Sequence, residues 1–405
     1  MLQWGVIPAP KARTATPVVL VAHPSADLYG SDRMLIESVA GMVAQGWRVV
    51  VTVPAPGPLV PELERVGAEI AFCPAPVLRK QALRPRGFLA LVGSALSALP
   101  AAWRLVRSTR ADVVYVNTLT VPLWLLVARL ARRPAVCHVH EAEGSAPALV
   151  RRALVLPLLL ARALMVNSRY TLGVLTGALP RLERRATVVY NGVGGPAAPV
   201  PPRAALQGAL RLAYVGRISP RKGVAVAVTA LRELLGRGVD ARLDLVGAVF
   251  PGYEWFEAEL RAAVADGAMD DKVTFRGFTS DPWALVSEAD VLLVPSLLDE
   301  PFGNTAVEAG LAQRPVVVSD TSGLREAAHG LRSAVLVPPG DARALADAVA
   351  SIAADWSSYR GLAVADAPAL ARRHDVARYR GEVVGVVAAL VPGATSTPAG
   401  ELAGA

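Results

Sequence analysis

Gly194-Gly195-Pro196-Ala197-Ala198-Pro199-Val200-Pro201-Pro202 is the stretch on which the reading of this chain turns. Four prolines and two glycines in nine residues lock φ, remove backbone donors and admit no continuous helix or central strand. The segment 194–210 is therefore read as a linker, with a separate folding unit on each side. A length of 405 residues agrees, being more than one core usually organises.

On the upstream side, Val18 to Ala22 reads as a strand and Ser31 to Gln45 as a helix. Leu35, Ile36, Val39, Met42 and Val43 recur there at helical spacing, and Gly46 stands at the C-cap. Further strands are expected at Arg48–Val53, Val113–Val116, Ala135–Val139, Ala163–Val166 and Thr187–Tyr190. Beyond the linker the alternation restarts with a strand at Leu212–Val215, a helix at Val224–Arg237 and a strand at Leu243–Val246. A helix at Glu254–Ala265 and strands at Val273–Phe275, Val291–Val294 and Val316–Val318 follow. Helices are read at Asn304–Ala312 and from Asp341 to Ala353. Strand and helix in strict turn make a parallel α/β sheet. The expected architecture is two Rossmann-like, doubly wound domains, 1–193 and 211–365, facing each other across a cleft. A helical segment at 366–391 is a candidate to cross back to the first domain, and 392–405, rich in small residues, is expected to be disordered. Ligands bind outside the carboxyl ends of the strands in such sheets.

Composition supports this and narrows the function. Hydrophobic residues reach 53% with only 5% aromatics, so the core rests on Ala, Val and Leu, which suits strands covered on both faces. Cys73 and Cys137 are too few for a disulfide framework or a four-cysteine zinc site, and a reducing, cytoplasmic setting is expected. Met1 to Pro17 has no apolar run of the secretory kind. Ala153 to Val166 is broken by Pro157 and Arg162, short of the ~20 residues a membrane span needs.

Charge is unevenly placed. Residues 1–200 carry 22 Lys and Arg against 10 Asp and Glu, a balance of +12, while the remainder carries −4. No acid stands between Glu69 and Asp112, where Arg79, Lys80, Arg84, Arg86, Arg104, Arg107 and Arg110 lie. A basic half invites anionic partners or reflects plain use of arginine for solubility. Arginines flank an apolar stretch from Phe88 to Leu99 with Trp103 close by, the pattern of an interfacial helix. Burial inside the domain accounts for the same residues equally well. A peripheral contact with anionic membrane, at its inner face, is one expectation; nucleic acid is not, because no aromatics interleave with the arginines.

Two motifs carry chemistry. Gly216-Arg217-Ile218-Ser219-Pro220-Arg221-Lys222-Gly223 follows the first strand of the second unit and places cations where a helix begins, an anion site. Its glycine spacing is neither that of a Walker loop nor of a dinucleotide fingerprint. Glu300-Pro301-Phe302-Gly303-Asn304-Thr305-Ala306-Val307-Glu308 follows an apolar strand, with Glu300 in the loop and Glu308 one turn into a helix. The amides of Gly303, Asn304 and Thr305 are helix-start donors suited to a phosphate, and a carboxylate can grip a pair of hydroxyls. The alternative readings are a solvated basic loop and ordinary surface glutamates.

These motifs resemble family 4 glycosyltransferases of the GT-B fold, the retaining type. The likeness runs from Pro24 to about Ala353. It also rests on Tyr190-Asn191-Gly192-Val193, Arg276-Gly277-Phe278, Ala289-Asp290, Pro295-Ser296, Arg314-Pro315-Val316-Val317 and Val337-Pro338-Pro339-Gly340-Asp341. The resemblance implies an acceptor-binding first domain and a nucleotide-sugar-binding second one. It implies that Arg217 and Lys222 neutralise the donor diphosphate, that Glu308 holds the ribose and Glu300 the transferred sugar, that the segment around Phe278 contacts the base largely through backbone, and that Phe302 also lies in the donor site. In the first domain, Tyr29-Gly30-Ser31-Asp32-Arg33 stands where the family usually has Gly-Gly-x-Glu-Arg, and Gly30 would let backbone approach the diphosphate. Cys137-His138-Val139-His140-Glu141 resembles the family's His-Glu segment, with His140 as the site histidine and His138 read as a core residue.

The implied reaction moves a sugar from a nucleoside diphosphate, UDP or GDP, to a glycan, lipid or small-molecule acceptor. It proceeds with retention and with no cofactor. No Asp-x-Asp stands at a strand end, so the two cations take a metal's place. The rival readings are a nucleotide-sugar epimerase on the same scaffold and a non-catalytic membrane-surface module.

Overall fold

The computed structural model describes residues 16–28, 30–74, 76–78, 85–249, 252–279 and 281–391. Tyr29, Arg79, Lys80, Arg84 and the expected tail 392–405 lie outside them.

The first domain opens with β1 (Val18–Ala22), α1 (Gly30–Ala44), β2 (Arg48–Val53), α2 (Leu59–Arg65), β3 (Glu69–Phe72) and α3 (Pro85–Ser108). It continues with β4 (Val113–Val116), α4 (Leu123–Leu130), β5 (Ala135–Val139), α5 (Ala148–Val155), β6 (Ala163–Val166), α6 (Arg169–Ala178) and β7 (Ala186–Val188). A 3-10 turn, Leu156–Leu160, joins α5 to β6. The second domain runs β8 (Leu210–Val215), α7 (Val224–Gly236), β9 (Ala241–Val246), α8 (Glu254–Asp266), β10 (Val273–Gly277) and α9 (Trp283–Glu288). There follow β11 (Val291–Val294), α10 (Asn304–Leu311), β12 (Val316–Ser319), α11 (Ser322–Ala327), β13 (Ala334–Val337), α12 (Ala342–Ala354), α13 (Trp356–Arg373) and α14 (Val376–Ala388).

Both sheets are parallel, ordered β3-β2-β1-β4-β5-β6-β7 and β10-β9-β8-β11-β12-β13. Each reverses winding beside its first strand, between β1 and β4 and between β8 and β11, which opens a crevice at the carboxyl edge. Their central strands are apolar throughout, Val113–Val116 and Val291–Val294 being buried at every position, because helices cover both faces. In the first domain one face packs under α3, α4 and α5, the other under α1, α2 and α14. In the second, α7, α8 and α12 cover one face and α9, α10 and α11 the other.

The expected strands and helices stand within a few residues of their places; α2, β3, α11, β13 and the break between α13 and α14 are among the features not read from sequence. α13 runs unbroken through the expected boundary at 365. It stays with the second domain through Leu370, and the chain crosses only at His374 and Asp375. α14 then closes the first domain's core with Tyr379, Val383 and Val387. The crossing is held by His374, whose Nδ1–H donates to the Asn191 carbonyl at 3.1 Å while its own carbonyl accepts from Val193 N at 2.9 Å.

Candidate active site between the domains

In the second domain the site begins with backbone. Gly223, at φ +70°, turns the cation loop into α7 so tightly that a Cβ would stand 1.8 Å from the Pro295 carbonyl oxygen. That close approach seats Lys222 against the loop after β11. Its Nζ lies 2.6 Å from Glu300 Oε1, with the Arg221 guanidinium at 3.5 Å and Ser296 Oγ donating at 3.1 Å. Glu300 is nearly buried. Burial by itself would raise its carboxyl, but Lys222 and Arg221 overcome that and hold it below the usual range. The loop is fixed further by Ser322 Oγ, which accepts from Glu300 N at 2.8 Å, and by Gly323 N donating to the Glu300 carbonyl.

Gly303, at φ +121°, then starts α10, whose first residues Asn304 and Thr305 stand at the crevice. Glu308 lies one turn in, half-buried. Burial raises its carboxyl, and the charges of Arg33 from the first domain and of Lys222 oppose the rise. One of the expected roles needs amending. Phe302 is 2% exposed and packs against Tyr190 and His374, so its ring serves the core and only its backbone borders the site. The guanidinium on Glu300 belongs to Arg221. Arg217 is exposed, with its carbonyl held by Tyr214 Oη at 2.6 Å. Phe278 is 54% exposed in the loop after β10, free to stack on a planar group.

The first domain faces this with a chain of buried polar side chains. His140, at the end of β5, bonds through Nε2 to Asn117 Oδ1 at 3.2 Å; the Asn117 amide reaches His23 Nδ1 at 3.2 Å; His23 Nε2 reaches Asp32 Oδ1 at 2.8 Å. All four residues are buried. The proton positions follow from the network: Asn117 can accept only on Oδ1, so His140 carries its proton on Nε2, and His23 donates to Asp32 from its own Nε2. Burial, helped by the nearby His23, depresses the His140 pKa to about 3, so the imidazole is neutral at ordinary pH. Asp32 is the side chain that the resemblance placed where the family has Glu. His23 and Asn117 were not singled out in the sequence, since each is a lone polar residue at a strand end. His138 sits in the core, its Nδ1 2.6 Å from Tyr115 Oη in a chain that continues through Ser38 to Tyr379 Oη of α14.

The two halves meet across the crevice. Gly30, the first residue of α1, lies so near α10 that a Cβ there would stand 3.7 Å from Asn304 Nδ2. Asn191 donates to Asn304 Oδ1 at 2.8 Å. Glu326 of α11 accepts from the first amides of α6, Arg169 N at 2.9 Å and Tyr170 N at 3.1 Å, and Asp299 accepts from Tyr170 Oη at 2.7 Å. Two helix N-termini and a Lys–Glu pair thus border one crevice. Helix-start amides and a cation in one place favour an anion.

Two family descriptions cover most of the chain: Glycosyltransferase Family 4 over residues 29–194 and Glycosyl transferases group 1 over residues 209–355. This chain belongs to family 4 of the GT-B glycosyltransferases. Among relatives, the amylovoran biosynthesis glycosyltransferase AmsK of Erwinia amylovora is 36% identical over 151 residues, 36% of either chain. The 2-deoxystreptamine glucosyltransferase of Streptomyces kanamyceticus is 35% identical over 146 residues, again 36% of either chain. The alignment therefore spans about a third of the length of these curated relatives. Across the whole fold, the structure of Anabaena HepE in complex with UDP-glucose superposes with a TM-score of 0.76 at 22% identity, over 92% of this chain and 99% of that one. For this family-4 chain that likeness carries the fold.

Proposed function

We propose that this glycosyltransferase moves a sugar from a nucleoside-diphosphate sugar to an acceptor hydroxyl, with retention and without a metal. The observation that carries the reading is the Lys222–Glu300 pair, 2.6 Å apart at the edge of the second sheet beside the first amides of α10. Cleavage of the anomeric bond leaves negative charge on the diphosphate. Lys222 and Arg217 meet that charge, and a fixed donor of this kind is commonly worth ~3 kcal/mol. Because Glu300 already holds the ammonium in place, little reorganisation accompanies charge development. Glu300 and Glu308 accept from the sugar and the ribose, and Phe278 covers the base. The neutral His140 lines the sugar's other side. Support for the donor class comes from HepE, whose structure contains UDP-glucose. Support for direct cationic stabilisation comes from the residues themselves: Lys222 and Arg221 converge on Glu300 at this edge. Both cysteines are buried and unpaired, which supports a reducing, cytoplasmic location.

The test is thermal shift against a panel of UDP- and GDP-sugars, followed by transfer assays with the stabilising donor. A rise in melting temperature with one nucleotide sugar, and transfer that needs an acceptor, are expected. Conversion of the donor alone to its epimer, or no response to any nucleotide, would overturn the reading.

A further inference from the structure

The outer face of the first domain is not used by the donor chemistry. α3, α4, α5 and the 3-10 turn Leu156–Leu160 share one apolar core over the sheet, so they form a single layer. None of these elements contains an acid, whereas Arg86, Arg104, Arg107, Arg129, Arg151 and Arg152 lie on them. The layer is also incompletely covered. Residues 86–108 contain an 18-residue window of mean hydropathy 1.5, of which only 17% is buried. The first half of α3 leaves the core: Phe88, Leu89 and Leu96 are 57, 69 and 65% exposed. Leu149 and Leu156 stand out from the same layer. Leaving such side chains in water forgoes the stabilisation their burial would give.

A second observation sits at the other end of this layer, under the N-terminal ends of β5 and β6. A cavity of about 650 Å³ is lined by Arg129, Arg132, Arg133, Arg162 and Arg185, with Leu159 and Leu160 at its rim. Arg185 spends its guanidinium on the carbonyls of Leu159 and Ala161 at 3.0 and 3.1 Å. The other four form no ion pair among the described residues. Five guanidiniums around one hollow repel one another until an anion enters, and forked donors of this kind suit phosphate oxygens.

We propose that this face docks onto an anionic lipid bilayer, with the exposed side chains of α3 and the 3-10 turn entering the interface and the cavity arginines holding lipid phosphates. Apolar side chains on an acid-free layer, with a cluster of arginines at its edge, match the two components of an interfacial contact. A second copy of the chain does not fit, since it would set arginine against arginine. Nor does α3 span a membrane. Its second half buries Ala98, Ala102 and Val106 in the domain core.

The experiment is co-sedimentation of the full chain with phosphatidylcholine vesicles, alone or mixed with phosphatidylglycerol, at rising salt. Binding at least ~10-fold tighter to the anionic vesicles, weakening with salt, is expected. The Arg129→Glu, Arg132→Glu, Arg133→Glu triple variant should lose that preference. Leu89→Ser with Leu96→Ser should weaken binding by roughly tenfold or more, since each exchange removes several buried CH₂ groups. All five positions are exposed, so the fold survives, and melting curves verify it. Equal binding to both vesicle types, or anionic binding that survives the triple exchange, overturns the proposal. Donor thermal shifts in these variants should match the parent chain, so failure here is separable from failure of the donor reading.

Discussion

In the second domain the rim of the sheet is built from charge: Lys222 and Arg221 converge on a nearly buried Glu300. In the first domain the corresponding rim is a chain of buried polar groups, a neutral His140 bonded through Asn117 and His23 to Asp32. The strand order around the switch point is the same in both. What differs is how a buried titratable group is compensated. Glu300 stays ionised because two cations repay its desolvation, whereas the His140 imidazole bonds to the neutral Asn117 amide and burial outweighs the opposing charge of Asp32, so it gives up its proton. One half of the crevice is equipped to meet developing charge, the other to shape and orient an uncharged ring.

The comparison can be broken most sharply at Lys222. Lys222→Ala should lower transfer by at least about a hundredfold, since it removes an electrostatic contact aimed at the leaving group. Wild-type turnover in that variant, with an unchanged melting curve, would mean the charged rim is not the engine. Asn117→Ala comes next. It leaves His140 and His23 without their shared partner in a buried setting, so a stability loss of about 1–3 kcal/mol is expected in chemical denaturation. A lesser fall in transfer than at Lys222 should accompany it; an equal fall would erase the distinction between the halves.

Acid should probe the neutral half. His140 and His374 are held neutral, with pKa values near 3 and 4, by burial first of all. In the unfolded chain both take up protons near pH 6.5. The unfolded state therefore binds more protons below that value, and stability must fall as pH drops from about 6.5 towards 4. Glu300, held low by its cations, adds its loss only below its ordinary range, near pH 4.5. Melting temperatures that stay flat from pH 7 to 5 would contradict the neutral assignment. Phe278→Ala should have the smallest effect. Its exposed ring contributes nothing to the core, so stability should hold within about 0.5 kcal/mol while nucleotide affinity weakens a few-fold in titration calorimetry.

Much of the second domain's rim was legible in the order of residues. The cation loop and the E-x7-E segment are local, each a few residues after a strand, so their spacing already placed them on one edge. The choice between Arg217 and Arg221 was not legible. Both lie in one loop, and only the turn at Gly223, pressed on Pro295, decides which guanidinium faces Glu300. Phe302 looked like a ligand contact because it sits between the motif's acids, yet its ring turns inward onto Tyr190 and His374, distant in sequence. The first domain's rim was mostly hidden. His23 and Asn117 are 94 residues apart and meet only because β1 and β4 pair.

By itself the sequence determined that there are two parallel α/β units, where they part, and which short segments carry cations and carboxylates. Those properties are written in periodicity, in glycine and proline, and in local spacing. Only the tertiary structure decided that α14 returns to seal the first core, that the His–Asn–His–Asp chain exists, and that the apolar start of α3 faces outward. Each depends on which distant surfaces pack together, and an apolar helix has the same composition whether its face is covered or bare.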